Sequence, residues 1–345
     1  MTDPDAPVLR AHTLYAFDAA ADAALRTLLG RAVVLTSGDE IVRADVCDVL
    51  IAGTPERRHV DACPRLRAIV IPWAGVAPSV RDAVAGRPGV AVHNLHHNAS
   101  ATAEHAFALL LAAAKRIVPS DRRMRAHDWK DRGARDPAVL LEGRTAVIVG
   151  FGAIGRRVGR MCRALGMHVV GVRSAAPAAS DANDFNASDF NASDVDANAF
   201  EVHGAADLDV LLPRADVLVV AVPGTPETRG LLDARRIGLL PAGAVVVNVG
   251  RGAVIDESAL FDALASGRLH GAGLDVWWRY PREGEERTPP SSQPFETLDS
   301  VVMTPHRAGS AEGIESLRVR AVADVLLALA RGGDAPGRVD LARGY

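Results

Sequence analysis

Lysine is almost missing from this chain: of 39 basic residues only Lys115 and Lys130 are Lys, and the rest are Arg. Acidic residues number 42, so the formal net charge is only −3. That balance lacks the basic surface that nucleic acid or an anionic membrane would demand, and neither partner is expected. Aromatics make up 4% of a chain that is 48% hydrophobic, so a globular core must be built mainly from aliphatic side chains. The three cysteines, Cys47, Cys63 and Cys162, are far apart. They have no metal-ligand spacing and no even count for a disulfide framework, so the expectation is small buried residues in a reducing cytosol and no metal site. No basic stretch followed by an apolar run opens the chain, which argues against a signal peptide and for a cytoplasmic protein. No apolar run reaches membrane-spanning length; the stretch from His105 to Ala114 is bounded by Glu104 and Lys115.

What is present is an alternation of short β-rich runs with Ala- and Leu-rich helical segments. Strands are predicted at residues 32–35, 49–52, 68–71 and 90–92, then a long helix over about 101–117. A polar stretch follows, Pro119 to Pro137. The pattern then resumes, with strands at 145–149, 167–172, 217–221, 244–249, 273–276 and 301–304. A last helix over about 315–330 is expected to pack back onto the N-terminal part, giving two chain crossings and a hinge. One segment breaks the pattern. Between Ser180 and Phe200 a short repeat carries Asp181, Asp184, Asp189, Asp194 and Asp196 and no basic residue, which reads as an exposed loop.

The most informative run is Val147-Ile148-Val149-Gly150-Phe151-Gly152-Ala153-Ile154-Gly155. Gly150, Gly152 and Gly155 fit G-x-G-x-x-G between a strand and a helix, with a second strand next. The three glycines serve different ends, namely the tight turn, the close approach of backbone to a pyrophosphate, and the contact of helix on strand. The helix N-terminus at Ala153 and Ile154 offers free N–H groups and a positive dipole end to phosphates. The spacing predicts a dinucleotide site. In NAD sites an acid usually ends the second strand and binds the ribose 2′-OH. Here that strand ends in Arg173-Ser174, and Arg173 lies 23 positions after Gly150. A guanidinium pairs with a 2′-phosphate where a carboxylate would repel it. NADP is therefore favoured, with NAD as the alternative.

Further segments complete the picture: Asn98-Ala99-Ser100-Ala101-Thr102-Ala103-Glu104-His105, Pro223-Gly224-Thr225-Pro226-Glu227-Thr228-Arg229-Gly230, Asn248-Val249-Gly250-Arg251-Gly252, Leu274-Asp275-Val276 and Thr304-Pro305-His306. In this order and spacing the chain, from about Val49 to Gly309, resembles the D-isomer-specific 2-hydroxyacid dehydrogenases. The resemblance implies two doubly wound parallel-sheet α/β domains. A Rossmann domain at 118–309 would be inserted into a flavodoxin-like substrate-binding domain at 1–117 and 310–345. It implies hydride transfer between a nicotinamide cofactor and a small 2-keto or 2-hydroxy acid, and a homodimer formed through the cofactor domain.

The chemistry of the residues agrees. Imidazole titrates near neutral pH, so His306 suits proton transfer. Arg251 stays charged and can grip a carboxylate and a reacting carbonyl oxygen together. By resemblance, the turn Trp73-Ala74-Gly75-Val76 holds the substrate carboxylate, with Trp73 standing where relatives have small residues. Asn98 faces the substrate, Asp275 holds the nicotinamide carboxamide, and Pro223 and Thr228 border the cofactor. On the residues alone, Glu104 and His105 read as a helix start.

One departure from the family pattern stands out. The Glu that usually orients the catalytic His, five positions after the Asp of L-D-V, is Tyr280 here. A phenol hydrogen-bonds an imidazole without adding charge, so His306 is expected to titrate lower than in Glu-paired relatives. Glu283, Glu285 or Glu286 are the alternative partners. The leading expectation is a reductase of glyoxylate or hydroxypyruvate type. Only about one helix and a tail follow Gly309, which disfavours a phosphoglycerate dehydrogenase with an appended sensor domain. A formate dehydrogenase is the same-class rival, and a dinucleotide-sensing corepressor the rival from another class.

Overall fold

A computed structural model describes residues 8–133, 138–174 and 200–341. The acidic repeat therefore lies outside the described residues, apart from Phe200. Among the described residues no helix is long and apolar enough to cross a membrane.

The chain divides into two compact units, Met1–Asn98 with Ser310–Tyr345, and Ala99–Gly309. The first holds five parallel strands: β1 (Leu9–Thr13), β2 (Val33–Ser37), β3 (Val49–Ile51), β4 (Ala68–Ile71) and β5 (Ala91–Asn94). Their order is β2-β1-β3-β4-β5, that of flavodoxin-like doubly wound sheets. The sequence reading missed β1, because Leu-Arg-Ala-His-Thr carries Arg10 and His12 among its apolar residues. His12 is buried all the same. One ring nitrogen bonds the Thr36 hydroxyl at 2.8 Å and the other the Gly38 carbonyl at 2.9 Å, which offsets the loss of water. The C-terminal helix Ile314–Ala330 packs Val319, Val322 and Leu326 into the same core as Leu25 and Leu29 of the helix Ala19–Leu29.

The second unit holds seven parallel strands: β6 (Thr145–Val149), β7 (His168–Arg173), β8 (Glu201–Gly204), β9 (Val217–Val220), β10 (Val245–Asn248), β11 (Gly271–Leu274) and β12 (Val301–Met303). Their order is β12-β11-β10-β9-β6-β7-β8. The strand order reverses between β6 and β9, and loops at the carboxyl ends of strands beside such a reversal form ligand sites. Strand β8 also escaped the sequence reading, since Glu201 and His203 interrupt its apolar run.

The first unit boundary falls at 98/99, not at 117/118 as the sequence suggested. The helix Ala99–Ala114 belongs to the second unit because β11 makes room for it. A Cβ on Gly273 would come 2.6 Å from the Leu109 Cβ. That close approach puts Ala106, Leu110 and Ala113 into the core with Ile148, Val219 and Val247. The same helix carries Glu104 and His105 in its interior rather than at its start.

Candidate active site

The glycine turn is shaped as its spacing predicts. Gly150 has φ +98°, and a Cβ there would lie 2.6 Å from the Ala221 carbonyl carbon at the end of β9. A Cβ on Gly155 would overlap the Gly150 carbonyl oxygen. Gly152 differs from both: its φ of −95° and ψ of −150° suit any residue, and a Cβ there meets nothing within 4 Å. No packing demands glycine at 152, so the open space before it is what a bound group would fill. The helix Ala153–Ala164 starts at this point with no side-chain cap, leaving its first N–H groups to a ligand. This donor set fits a dinucleotide pyrophosphate. Arg173 is the last residue of β7, and Ser174 follows it. The Thr228 hydroxyl donates to the Pro223 carbonyl at 2.6 Å and accepts from the Thr225 N–H at 2.8 Å, so Thr228 folds the loop beyond β9 upon itself.

Arg251 sits just after β10 in extended backbone, φ −144° and ψ 143°. Its neighbours are glycines for a steric reason. A Cβ on Gly250 would come 2.6 Å from the Val222 carbonyl oxygen, and one on Gly252 would overlap the Trp277 carbonyl. Asn248, fully buried, ties this turn: its side-chain oxygen accepts from the Gly250 N–H at 3.0 Å, and its side-chain nitrogen donates to the Arg251 carbonyl at 3.1 Å. The guanidinium itself donates one hydrogen bond, to the Gly250 carbonyl at 2.7 Å. Among the described residues no carboxylate pairs with it.

His306 has φ +51°, a left-handed conformation that costs a non-glycine residue about 1 kcal/mol and concentrates at functional sites. The turn is held by Asp275, which is fully buried. Its carboxylate accepts from the Thr304 hydroxyl at 2.6 Å and from the N–H groups of Arg307 and Ala308 at 3.0 and 2.9 Å. His105 reaches the same corner, 3.0 Å from the Thr304 hydroxyl and 3.5 Å from Asp275. The resemblance gives Asp275 to the nicotinamide carboxamide; in this structure its oxygens serve the His306 turn.

The Tyr280 ring stands beside the His306 ring, centroids 5.5 Å apart and planes inclined by 53°. The phenol oxygen accepts from the Trp277 N–H at 3.2 Å. Burial pushes the phenol pKa up, so Tyr280 is neutral where His306 titrates. The imidazole loses hydration in this setting, although His306 as a whole is an exposed residue, and the Arg251 charge lies close enough to act on it. Both effects hold its pKa below the ordinary histidine value, and Asp275 opposes them more weakly. Of the alternative partners, Glu285 is bound in its own loop, accepting from the Arg282 N–H at 3.2 Å and the Thr288 hydroxyl at 3.1 Å. Arg251, His306, Tyr280 and Asp275 are thus brought together by the loops that follow β10, β11 and β12.

The other expected substrate residues lie in the first unit. The turn Trp73–Val76 follows β4 and is tied to β5, where the Asn94 side chain donates to the Ala74 carbonyl at 2.7 Å. Gly53, which the sequence reading passed over, makes room for Trp73: a Cβ there would overlap the indole. The Tyr15 ring meets that indole edge-on at 6.2 Å. Asn98 closes this unit's first segment. Sequence reasoning also missed Asn248 as a turn former and Trp277 and Trp278 as donors. Their signal was present in the N-x-x-R-G spacing and in the doubled tryptophan of an aromatic-poor chain.

Residues 107–308 match the family model for the D-isomer specific 2-hydroxyacid dehydrogenase, NAD binding domain. The chain is 33% identical over 292 residues to a D-3-phosphoglycerate dehydrogenase of Mycobacterium leprae (strain TN), covering 84% of this chain and 50% of that one. It is 33% identical over 294 residues to a glyoxylate reductase of Thermococcus onnurineus (strain NA1), covering 83% of this chain and 80% of that one. The chain spans about half the length of the phosphoglycerate dehydrogenases it matches. Its fold is similar to that of a D-isomer specific 2-hydroxyacid dehydrogenase from Xanthobacter autotrophicus Py2, solved in complex with NADPH and MES. That match has a TM-score of 0.76 at 24% identity, over 98% of this chain and 100% of that one.

Proposed function

Because the chain belongs to the D-isomer specific 2-hydroxyacid dehydrogenase family, we propose that it reduces small 2-keto acids of the glyoxylate or hydroxypyruvate type with NADPH. The observation that carries this reading is the placement of a carboxylate-free Arg251 and a left-handed His306 beyond the carboxyl ends of β10 and β12, the two parallel strands that flank β11. The dinucleotide, when bound, supplies the hydride. The residues do the rest. Arg251 binds the substrate carboxylate and the carbonyl oxygen, and steadies the negative charge that grows there. His306 gives its proton to that oxygen, and takes it back in the oxidative direction. By resemblance, the backbone of Trp73–Val76 has a part in holding the substrate carboxylate. Homodimer formation belongs to the same reading. It is supported by the exposed apolar side chains of Ile117, Met124, Trp129 and Leu140 on the segment that follows the helix Ala99–Ala114.

A steady-state assay with NADPH and with NADH against glyoxylate, hydroxypyruvate, pyruvate and longer 2-keto acids tests the proposal. Turnover fastest with NADPH and a two- or three-carbon keto acid is the expected result. Cofactor binding without turnover of any keto acid would favour a sensor instead.

NADP selectivity rests on Arg173 and Ser174. One charge-assisted pair contributes about 1.5–3 kcal/mol. Arg173→Ala should therefore weaken NADPH binding about ten- to a hundredfold and leave NADH binding nearly unchanged. Isothermal titration with both cofactors reads this directly; an equal loss for the two would remove Arg173 from the 2′-phosphate.

The neutral partner of His306 sets a pH dependence. Reduction needs the imidazolium. With its pKa held down, the protonated fraction disappears at lower pH than for an ordinary histidine, and reductive kcat/KM declines there. Tyr280→Glu places an anion beside the ring, raises the His306 pKa, and should move the decline to higher pH by about one unit. Coincident pH profiles for the two proteins would show that residue 280 does not act on His306.

A further inference from the structure

We propose that Trp277 and Trp278 are positioning residues, Trp277 for His306 and Trp278 for Arg251, so that two adjacent side chains set both working groups from one segment. The inference rests on the roles proposed for Arg251 and His306.

The Trp277 indole N–H donates to the Thr304 carbonyl at 2.9 Å. The same carbonyl accepts the His306 N–H at 3.0 Å. A single oxygen thus receives both the indole and the residue that must stay left-handed, and Trp277 adds a tie to the turn that Asp275 also bonds at Arg307 and Ala308. The Trp278 indole N–H donates to the Ile255 carbonyl at 2.9 Å. Ile255 ends the short turn Gly252–Val254 that begins at Arg251. The Trp278 ring lies flat on Phe295, centroids 5.4 Å apart and planes within 7°, and Phe295 is fully buried, so the indole has no freedom to turn away. Between the two rings, the Trp277 carbonyl presses on Gly252, where a Cβ would overlap it. A core filler needs only bulk, and phenylalanine would supply it. What phenylalanine would not supply is the two indole N–H groups, and both of their acceptors are carbonyls of the loops that carry Arg251 and His306.

Phenylalanine substitutions separate the donors from the bulk. Trp277→Phe loosens the His306 turn, rehydrates the imidazole and takes it from Arg251, so its pKa should rise. The decline of reductive kcat/KM should then move to higher pH, with kcat lowered about tenfold. Trp278→Phe frees the Arg251 loop. KM for the keto acid should rise about tenfold with the pH profile in place. A merely structural role would lower Tm and the active fraction and move neither KM nor the pH profile; that outcome overturns the proposal, as do two variants indistinguishable from wild type. His306 titrated by NMR in wild type and Trp277→Phe, with NADPH bound, gives a reading that needs no turnover. A raised His306 pKa in Trp277→Phe together with a wild-type protein inactive on every keto acid would keep the positioning role and refute the proposed reaction. An unmoved His306 pKa in an active enzyme would do the reverse.

Discussion

Arg251→Ala should lower kcat/KM for a 2-keto acid about a thousandfold, a loss of about 4 kcal/mol of transition-state stabilisation. The guanidinium gives one N–H to the Gly250 carbonyl, and no carboxylate among the described residues competes for the rest. The glycines on either side press against the Val222 and Trp277 carbonyls, and Asn248 bonds the turn at two points. The loop is therefore built before substrate arrives, and removing the side chain removes charge without collapsing the turn. NADPH affinity should stay within about threefold of wild type, since the phosphate-binding turn lies after β6 and Arg251 after β10. Arg251→Lys should recover only part of the loss, because an ammonium cannot hold two oxygens in a fork. A tenfold or smaller loss for Arg251→Ala would assign the anion site to another residue.

Gly152→Val should raise the dinucleotide Kd more than about a hundredfold while leaving Tm close to wild type. The backbone at 152 is extended, and a Cβ there meets no atom within 4 Å. The free protein should tolerate the side chain, and a pyrophosphate bound at the proposed site should meet it. Gly155→Val provides the contrast. Its Cβ would overlap the Gly150 carbonyl oxygen, so this variant should be strongly destabilised whether or not cofactor is present. Thermal unfolding with and without NADPH separates the cases: Gly152→Val should melt like wild type and gain nothing from NADPH. A Gly152→Val protein that still gains stability from NADPH would place the phosphates elsewhere.

The three glycines show how much of the site the sequence carried. Their spacing after an apolar strand implied three different roles, and the three environments differ as those roles require. The apolar strands were equally plain: β9 is a continuous run of Val and Leu, and β10 is three Val before Asn248, all buried in a parallel sheet. Strands β1 and β8 were not legible, because His12 in β1 and Glu201 in β8 find partners outside their own strands, Thr36 and Arg214, while His203 bonds Glu201 within β8. The unit boundary was misplaced for a related reason. Which sheet a small-residue helix joins depends on a gap at Gly271 and Gly273, more than 150 residues away in sequence. Within the proposed site, residue types pointed to Arg251, His306 and Tyr280. That Asp275 holds the His306 turn, and that two indoles hold the neighbouring loops, depends on the direction of single hydrogen bonds, which no spacing encodes.

A crystal structure of the protein with NADP⁺ and oxalate, an unreactive mimic of a small 2-keto acid, tests the central claim most directly. The oxalate should lie on the Arg251 guanidinium with one oxygen within hydrogen-bond distance of a His306 ring nitrogen, and the nicotinamide ring alongside. Oxalate bound away from Arg251 and His306, with the dinucleotide in place, would contradict it.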